Sequence, residues 1–230
     1  GYRSDVLVKL DKPGIYYLVD GQSPAESLTC PSSPELPSLL AQIVVQGSAH
    51  DMALPVAADL AALAPFTSLL QLDQGRPIVP DNVGPNDLPA NNNPKPASGV
   101  TVNGFQRASL TVSTHNGSRP FQFLAGEHPF SLARARTLKL GSVDEWILQT
   151  TDDSFYYAHP FHIHVNPFQT WRTGPDSKPE LIWKDTILVP KGKPQYIFTH
   201  YTDYIGQFVY HCHILDHEDS GMMELLEIVR

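Results

Sequence analysis

Cysteine and methionine are scarce, with two and three residues among 230. Two cysteines cannot build the multi-disulfide framework of a small stapled scaffold. No apolar run approaches the ~20 residues that a helix needs to span a bilayer, and no signal peptide opens the sequence. Basic charge is short as well. Sixteen Lys and Arg against 24 Asp and Glu leave a formal charge of -8, which argues against nucleic acid or an anionic membrane as partner. Helix signals are few: VAADLAALA at 56–64, ended by Pro65, is the one convincing stretch. With 41% hydrophobic and 17% charged residues, the chain has the composition of an ordinary soluble globular protein. It is long enough for one large or two small domains with an ample core.

Strand signals fill most of the rest. From about residue 100, SLTVST, PFQFL, TLKLG, EWILQT, ELIWKDTILV, QYIFTH, QFVYHC and MELLEIV read as short strands separated by turns such as Asn116-Gly117. That pattern predicts an antiparallel sandwich. The first fifty residues hold three more strands: GYRSDVLVKL, then DKPGIYYLVD after a turn, then LLAQIVVQG at 39–47. Three strands are too few for a sandwich of their own, so the sequence is expected to begin partway through a domain. Between the two regions, 77–98 is rich in Pro, Asn and Asp and reads as an extended loop or linker. The expected organisation is therefore 1–50, a linker over 51–98, and a terminal domain over 99–230.

Chemistry concentrates in HCHILDHEDSGM at 211–222. Cys212, His217 and Met222 follow a Cys-x4-His-x4-Met spacing. A thiolate, an imidazole and a thioether in one short segment are three of the four ligands of a blue copper site, which is trigonal His2Cys with a weak axial Met. Side chains alternate across a strand. If 208–213 is extended, Cys212 faces one way while His211 and His213 face the other, so one strand can touch two metal centres. Upstream, HPFHIH at 159–164 places His162 and His164 on a common face, while His159, set apart by Pro160, can turn elsewhere and complete the blue site. A lone histidine is ordinarily a hydrogen-bonded core or surface residue. That reading fails for a set in which six of ten histidines fall in two short windows, one of them beside a cysteine. His50, His115, His128 and His200 stand alone and are read as solvated or structural. Trp146 and Trp183 are expected in the core, and Trp171 in core or rim packing.

These two windows resemble the last two copper-binding motifs of the multicopper oxidases, the superfamily of laccases, bilirubin oxidases and cuprous oxidases. FQFLAGEHPF at 121–130, LGSVDEWIL at 140–148, WKDTILVP at 183–190 and the closing MMELLEIV are similar to strands of the family's final domain. The sequence departs from the pattern at Val165–Asn166, where many members carry Gly-His. The resemblance implies an all-β, cupredoxin-like Greek-key β-sandwich over 99–230, preceded over 1–50 by the terminal strands of a second cupredoxin-like domain. It implies copper as cofactor. His159, Cys212 and His217 match type 1 ligands with Met222 axial, His162 matches a type 2 ligand, and His164, His211 and His213 match type 3 ligands. Glu218, beside His217, matches an acid that relays protons for dioxygen reduction.

Function follows as expectation. Electrons from a small reducing substrate would enter at the type 1 copper and pass through Cys212 to a trinuclear cluster that reduces dioxygen to water. The scarcity of methionine favours a phenolic or other organic donor over cuprous ion. Eight histidines hold such a cluster in the family and this chain supplies four, so N-terminal multicopper oxidase domains are the expected partner for the other four. A periplasmic or secreted location goes with that resemblance. Two rivals are a free-standing cupredoxin electron carrier, which has no use for His162, His164, His211 and His213, and a copper-free structural domain, which has no use for any of the set. Cys30 is either a free thiol or half of a disulfide to a segment outside this chain.

Overall fold

The computed structural model describes residues 6–21, 37–48, 50, 52–56, 58–59, 67–72, 95–113, 122–151, 158–173 and 179–230. By contacts the chain divides into two compact units, with the boundary between Thr67 and Ser68. In the smaller unit β1 (Gly14–Asp20) and β2 (Ser38–Val45) form an antiparallel hairpin ladder, Gly14 opposite Val45 and Asp20 opposite Ser38. The strand expected over the first ten residues is absent among those described: Val6, Leu7 and Val8 are exposed and enter no ladder. Alternation alone cannot make a strand without a partner edge. Of the predicted helix at 56–64 only its start is described, where the Asp59 N–H donates to the Val56 carbonyl at 2.9 Å; the remainder lies outside the described residues.

The larger unit is a two-sheet sandwich. After β3 (Leu70–Gln71) and β4 (Lys95–Pro96) come β5 (Gly104–Ser113), β6 (Gln122–Ala125), β7 (Ala135–Lys139) and β8 (Val143–Thr150). Next are β9 (Ala158–Ile163), β10 (Phe168–Thr173), β11 (Pro179–Lys184), β12 (Thr186–Pro190) and β13 (Gln195–His200). β14 (Gly206–Cys212), a short helix α1 (Leu215–Asp219) and β15 (Met223–Val229) close the chain. Among the described residues, one sheet has six strands in the order β11-β10-β13-β8-β5-β6, the other five in the order β12-β9-β14-β15-β7. β5 with β8 and β7 with β15 pair in parallel, so the sheets are mixed rather than wholly antiparallel. Parallel neighbours require crossovers from one sheet to the other, and those crossovers are the Greek-key wiring.

Inward residues of both sheets form one core: Ala108, Leu110 and Val112 from β5, Trp146 and Leu148 from β8, and Phe161, Ile163, Tyr210, Cys212 and Leu226 from the facing sheet. Each large side chain removed from water there contributes roughly 1.5–3 kcal/mol. Residues of opposite parity on the six-stranded sheet, Val143 and Phe198, join Leu69 and Leu70 in a second cluster edged by Trp171 and Trp183. The Gln169 side-chain oxygen accepts from the backbone N–H groups of Leu69 and Leu70 at 2.7 and 2.9 Å. Residues 68–72 and 95–96, expected in a linker, are thus built into the sandwich. The Asn116-Gly117 turn and most of the Pro/Asn-rich loop lie outside the described residues.

ELIWKDTILV, read as one strand, is two. β11 belongs to the six-stranded sheet and β12 to the five-stranded one, with the switch at Asp185. The Asp185 carbonyl accepts from the Ile163 N–H at 3.1 Å, which fixes the corner beside β9.

Candidate metal centre

β9 and β14 are neighbours, and their register brings the two motifs together. His211 stands opposite His162, and Cys212 opposite Phe161. By alternation along the strands, His159, Phe161 and Cys212 share the core-facing side. His162 and His211 share the other, joined by His164 and His213 just past the strand ends. His159 needs no special turn at Pro160, because its odd position already separates it from His162 and His164. Pro160 sits within β9, and its carbonyl accepts from the His213 N–H at 2.8 Å.

The core-side group is His159, Cys212 and His217. Cys212 Sγ lies 3.5 Å from His159 Nδ1 and 3.6 Å from His217 Nδ1, and the two nitrogens are 3.1 Å apart. All three residues are buried. The five residues of α1 carry His217 back toward Cys212, and the loop closes on itself: the Met222 N–H donates to the His217 carbonyl at 2.9 Å, the Cys212 N–H to the Met222 carbonyl at 3.0 Å. Gly221, at φ +104°, makes the reversal into β15, a conformation that side-chain-bearing residues resist. Met222 is fully buried and tied by its backbone to both His217 and Cys212. Two ring nitrogens at 3.1 Å share at most one hydrogen between them. A soft thiolate and two imidazoles converging in a dry site are three donors of a type 1 copper, and the residues fit that ion; Met222, bonded through its backbone to His217 and Cys212, is the available thioether.

On the other side His162, His164 and His211 bring one ring nitrogen each within 4.8 Å of one another. His164 Nε2 is 3.1 Å from His211 Nε2. His213 joins through its ring, 5.0 Å from that of His162 and stacked 5.4 Å from that of His211, though its nitrogens fall outside the tight trio. Backbone carbonyls orient these rings. His211 Nδ1 lies 2.9 Å from the Cys212 carbonyl, and His162 Nδ1 2.9 Å from that of Asp185. A carbonyl can only accept, so each Nδ1 carries its proton and each Nε2 is left as a lone pair for a metal. Burial strips water from the His162 ring and lowers its pKa to about 4; His164 is lowered by burial and then by His211. Both therefore rest as neutral imidazoles, the form that ligates metal.

Glu218 extends the second group. Its Oε2 is 3.2 Å from His211 Nδ1, so an acid adjacent in sequence to His217 reaches across to the other cluster. The sequence reading passed over several supporting residues. Thr186 Oγ1 lies 3.0 Å from His162 Nδ1 and donates to Asp185 Oδ1 at 3.0 Å, and the Phe123 ring packs 5.0 Å from that of His217. WKDT and FQFL carry them, but nothing in those strings marks a second layer around a metal. Trp171 stacks on Tyr196 in the outer cluster. Cys30 and His115 lie outside the described residues.

Comparison with known proteins agrees with this geometry. The family described as multicopper oxidase matches residues 95–229. A laccase of Haloferax volcanii is 30% identical over 226 residues, covering 92% of this chain and 38% of its own length. A Bacillus subtilis laccase is 34% identical over 113 residues, 40% of this chain and 21% of that protein. A solved multicopper oxidase from Campylobacter jejuni, titled a metallo-oxidase, superposes with a TM-score of 0.57 at 22% identity, covering 94% of this chain and 41% of that one, a likeness of fold. The chain thus spans well under half the length of these relatives. The matched region contains both histidine windows and Cys212 within the second, and the chain belongs to the multicopper oxidase family.

Proposed function

We propose that this chain is the C-terminal, copper-bearing part of a laccase-like oxidase. Copper is the family's cofactor. His159, Cys212 and His217, together with Met222, would hold a type 1 ion; His162 would serve a type 2 ion, and His164, His211 and His213 type 3 ions. Copper, when bound, supplies one-electron redox chemistry, accepting electrons singly from an organic donor at the first group and delivering four of them at the second to reduce dioxygen to water.

One observation carries the reading. Cys212 contributes its sulfur to the first group while its carbonyl takes the Nδ1 hydrogen bond of His211 in the second. The two groups are thereby joined by one residue's covalent bonds plus one hydrogen bond of 2.9 Å, a short through-bond route for electrons. Glu218, 3.2 Å from His211 Nδ1 and with its side chain 29% exposed to solvent, would carry protons inward. The buried first group excludes water from the thiolate, and His162 and His164, lowered by burial, keep their lone pairs available at neutral pH. Four further histidines from N-terminal domains would close the second group.

The test is copper reconstitution. The chain should turn blue, from thiolate-to-copper charge transfer, and Cys212→Ser should abolish the colour while His164→Ala keeps it. A colourless copper-loaded protein, or a blue Cys212→Ser variant, would overturn the assignment.

A further inference from the structure

Val165 is the only non-glycine residue at positive φ among the described residues, at +65°. It lies between His164 and Asn166, and the Asn166 N–H donates to the His164 carbonyl at 2.6 Å. Three residues closed by that bond with a positive central φ form the strained, rare hand of γ-turn. A β-branched residue is a genuine outlier there, with its side chain confined about χ1. Packing does not offset the strain, for Val165 is 54% exposed. A second cost stands beside the first: Asn166 is 3% exposed, and its Nδ2 has no hydrogen-bond partner. Two unfavourable features adjoin the one histidine of the second group that lies beyond the end of β9.

His164 is held on both sides. Its own N–H donates to the Val209 carbonyl of β14 at 3.0 Å, and its carbonyl closes the turn at Asn166. Between these two restraints the ring projects to bring Nε2 within 3.1 Å of His211 Nε2. Glycine is the ordinary solution to a positive φ, but it also admits most other conformations. Valine at +65° has only a narrow well. A turn that is costly to form is then stiff once formed, and it fixes the Cα–Cβ direction of the residue before it. Strain held next to a site by the surrounding fold is a means of pre-organising that site.

We propose that Val165 is a positioning residue, whose strained turn holds His164 in ligating orientation against His211 before any metal arrives. The inference rests on His164 and His211 being ligands of the second copper group. It goes further in assigning the metal affinity of that group to the backbone conformation of a residue that touches no metal. Because Val165 is half in solvent, replacing it removes conformational restraint with little loss of packing.

The experiment uses the full 230-residue chain carrying Cys212→Ser, which takes the thiolate from the first group, and the His164→Ala control separates copper held at the second group from any left at the first. Metal-free thermal midpoints, calorimetric titration with copper(II), and the electron paramagnetic resonance of the bound ion are compared for the parent, Val165→Gly, Val165→Asn and His164→Ala. Val165→Gly should melt no lower than the parent yet bind copper(II) about ten-fold more weakly, as loss of an orienting contact does, with a broadened spectrum. Val165→Asn, which tolerates left-handed φ while keeping a side chain, should fall between the two. Equal affinity and an unchanged spectrum in Val165→Gly overturn the proposal, and so does a lowered midpoint, which would assign the loss to folding. If His164→Ala binds copper(II) as the parent does, the ligand assignment itself fails, and the proposal falls with it.

Discussion

Arg136 on β7 and Glu224 on β15 form a bidentate pair, Nε to Oε1 at 2.9 Å and Nη2 to Oε2 at 2.8 Å. Their side chains are 22% and 21% exposed. The Tyr210 hydroxyl donates to the same carboxylate, and burial together with Glu224 raises that phenol's pKa well above its usual value, keeping it protonated. Arg136 also donates to the Arg107 carbonyl on β5 at 2.9 Å and lies 5.2 Å from the centre of the Trp146 ring, so one guanidinium links both sheets. Glu224→Gln keeps the volume but removes the charge that three donors converge on. Breaking a buried pair from one side costs about 3–5 kcal/mol. With a fifth of each side chain in water the lower end applies, about 3 kcal/mol, or roughly 6–12 °C in midpoint for a domain of this size. Replacing both Arg136 and Glu224 by Met should recover part of the loss, since an apolar substitute for an ion pair is often neutral, while the buried Tyr210 hydroxyl loses its acceptor. Urea denaturation of Arg136→Met, Glu224→Met and the double variant closes the cycle. A loss under about 1 kcal/mol for Glu224→Gln, the range of surface pairs, or a double variant as unstable as the summed singles, refutes the reasoning.

Met222→Leu should leave the blue colour and raise the reduction potential, because a weak donor that favours the oxidised ion is gone; an unchanged potential in redox titration removes Met222 as axial ligand. In the complete enzyme Glu218→Gln should slow turnover by about a hundred-fold while the donor still bleaches the blue band at the normal rate, and full activity would remove Glu218 from the proton route. Burial raises the pKa of Glu145 above 4.5, so its folded state favours the protonated acid. Its stabilising contribution is complete below pH about 4.5 and is lost as pH rises through the higher folded value. Glu145→Gln should accordingly stabilise the chain at pH 7 and leave it unchanged at pH 3, measured by thermal melts; equal effects at both pH values would contradict the shift. The purified chain with no second polypeptide should hold blue copper but consume no dioxygen in an oxygen-electrode assay, and steady reduction of oxygen would refute its need for four further histidines.

Much of the site was legible in the string because alternation along a strand is a local property. Cys212 must face away from His211 and His213 wherever 208–213 is extended, and the odd position of His159 separates it from His162 and His164 on the same grounds. Composition and turn spacing led to a β-sandwich for a similar reason, since each strand states its own period. Pairing is not local. Placing His211 opposite His162 depends on a register between strands some fifty residues apart, and splitting ELIWKDTILV between two sheets depends on which edge each half meets. Helix α1 brings Glu218 onto His211 across the loop that carries His217, a closure that adjacency in sequence does not reveal. Val165 in a left-handed turn runs against its own propensity, so no local rule could have placed it there. Each of these was decided by tertiary structure, because the free energy that selects a register, a sheet switch or a strained turn comes from contacts whose partners lie far away along the chain.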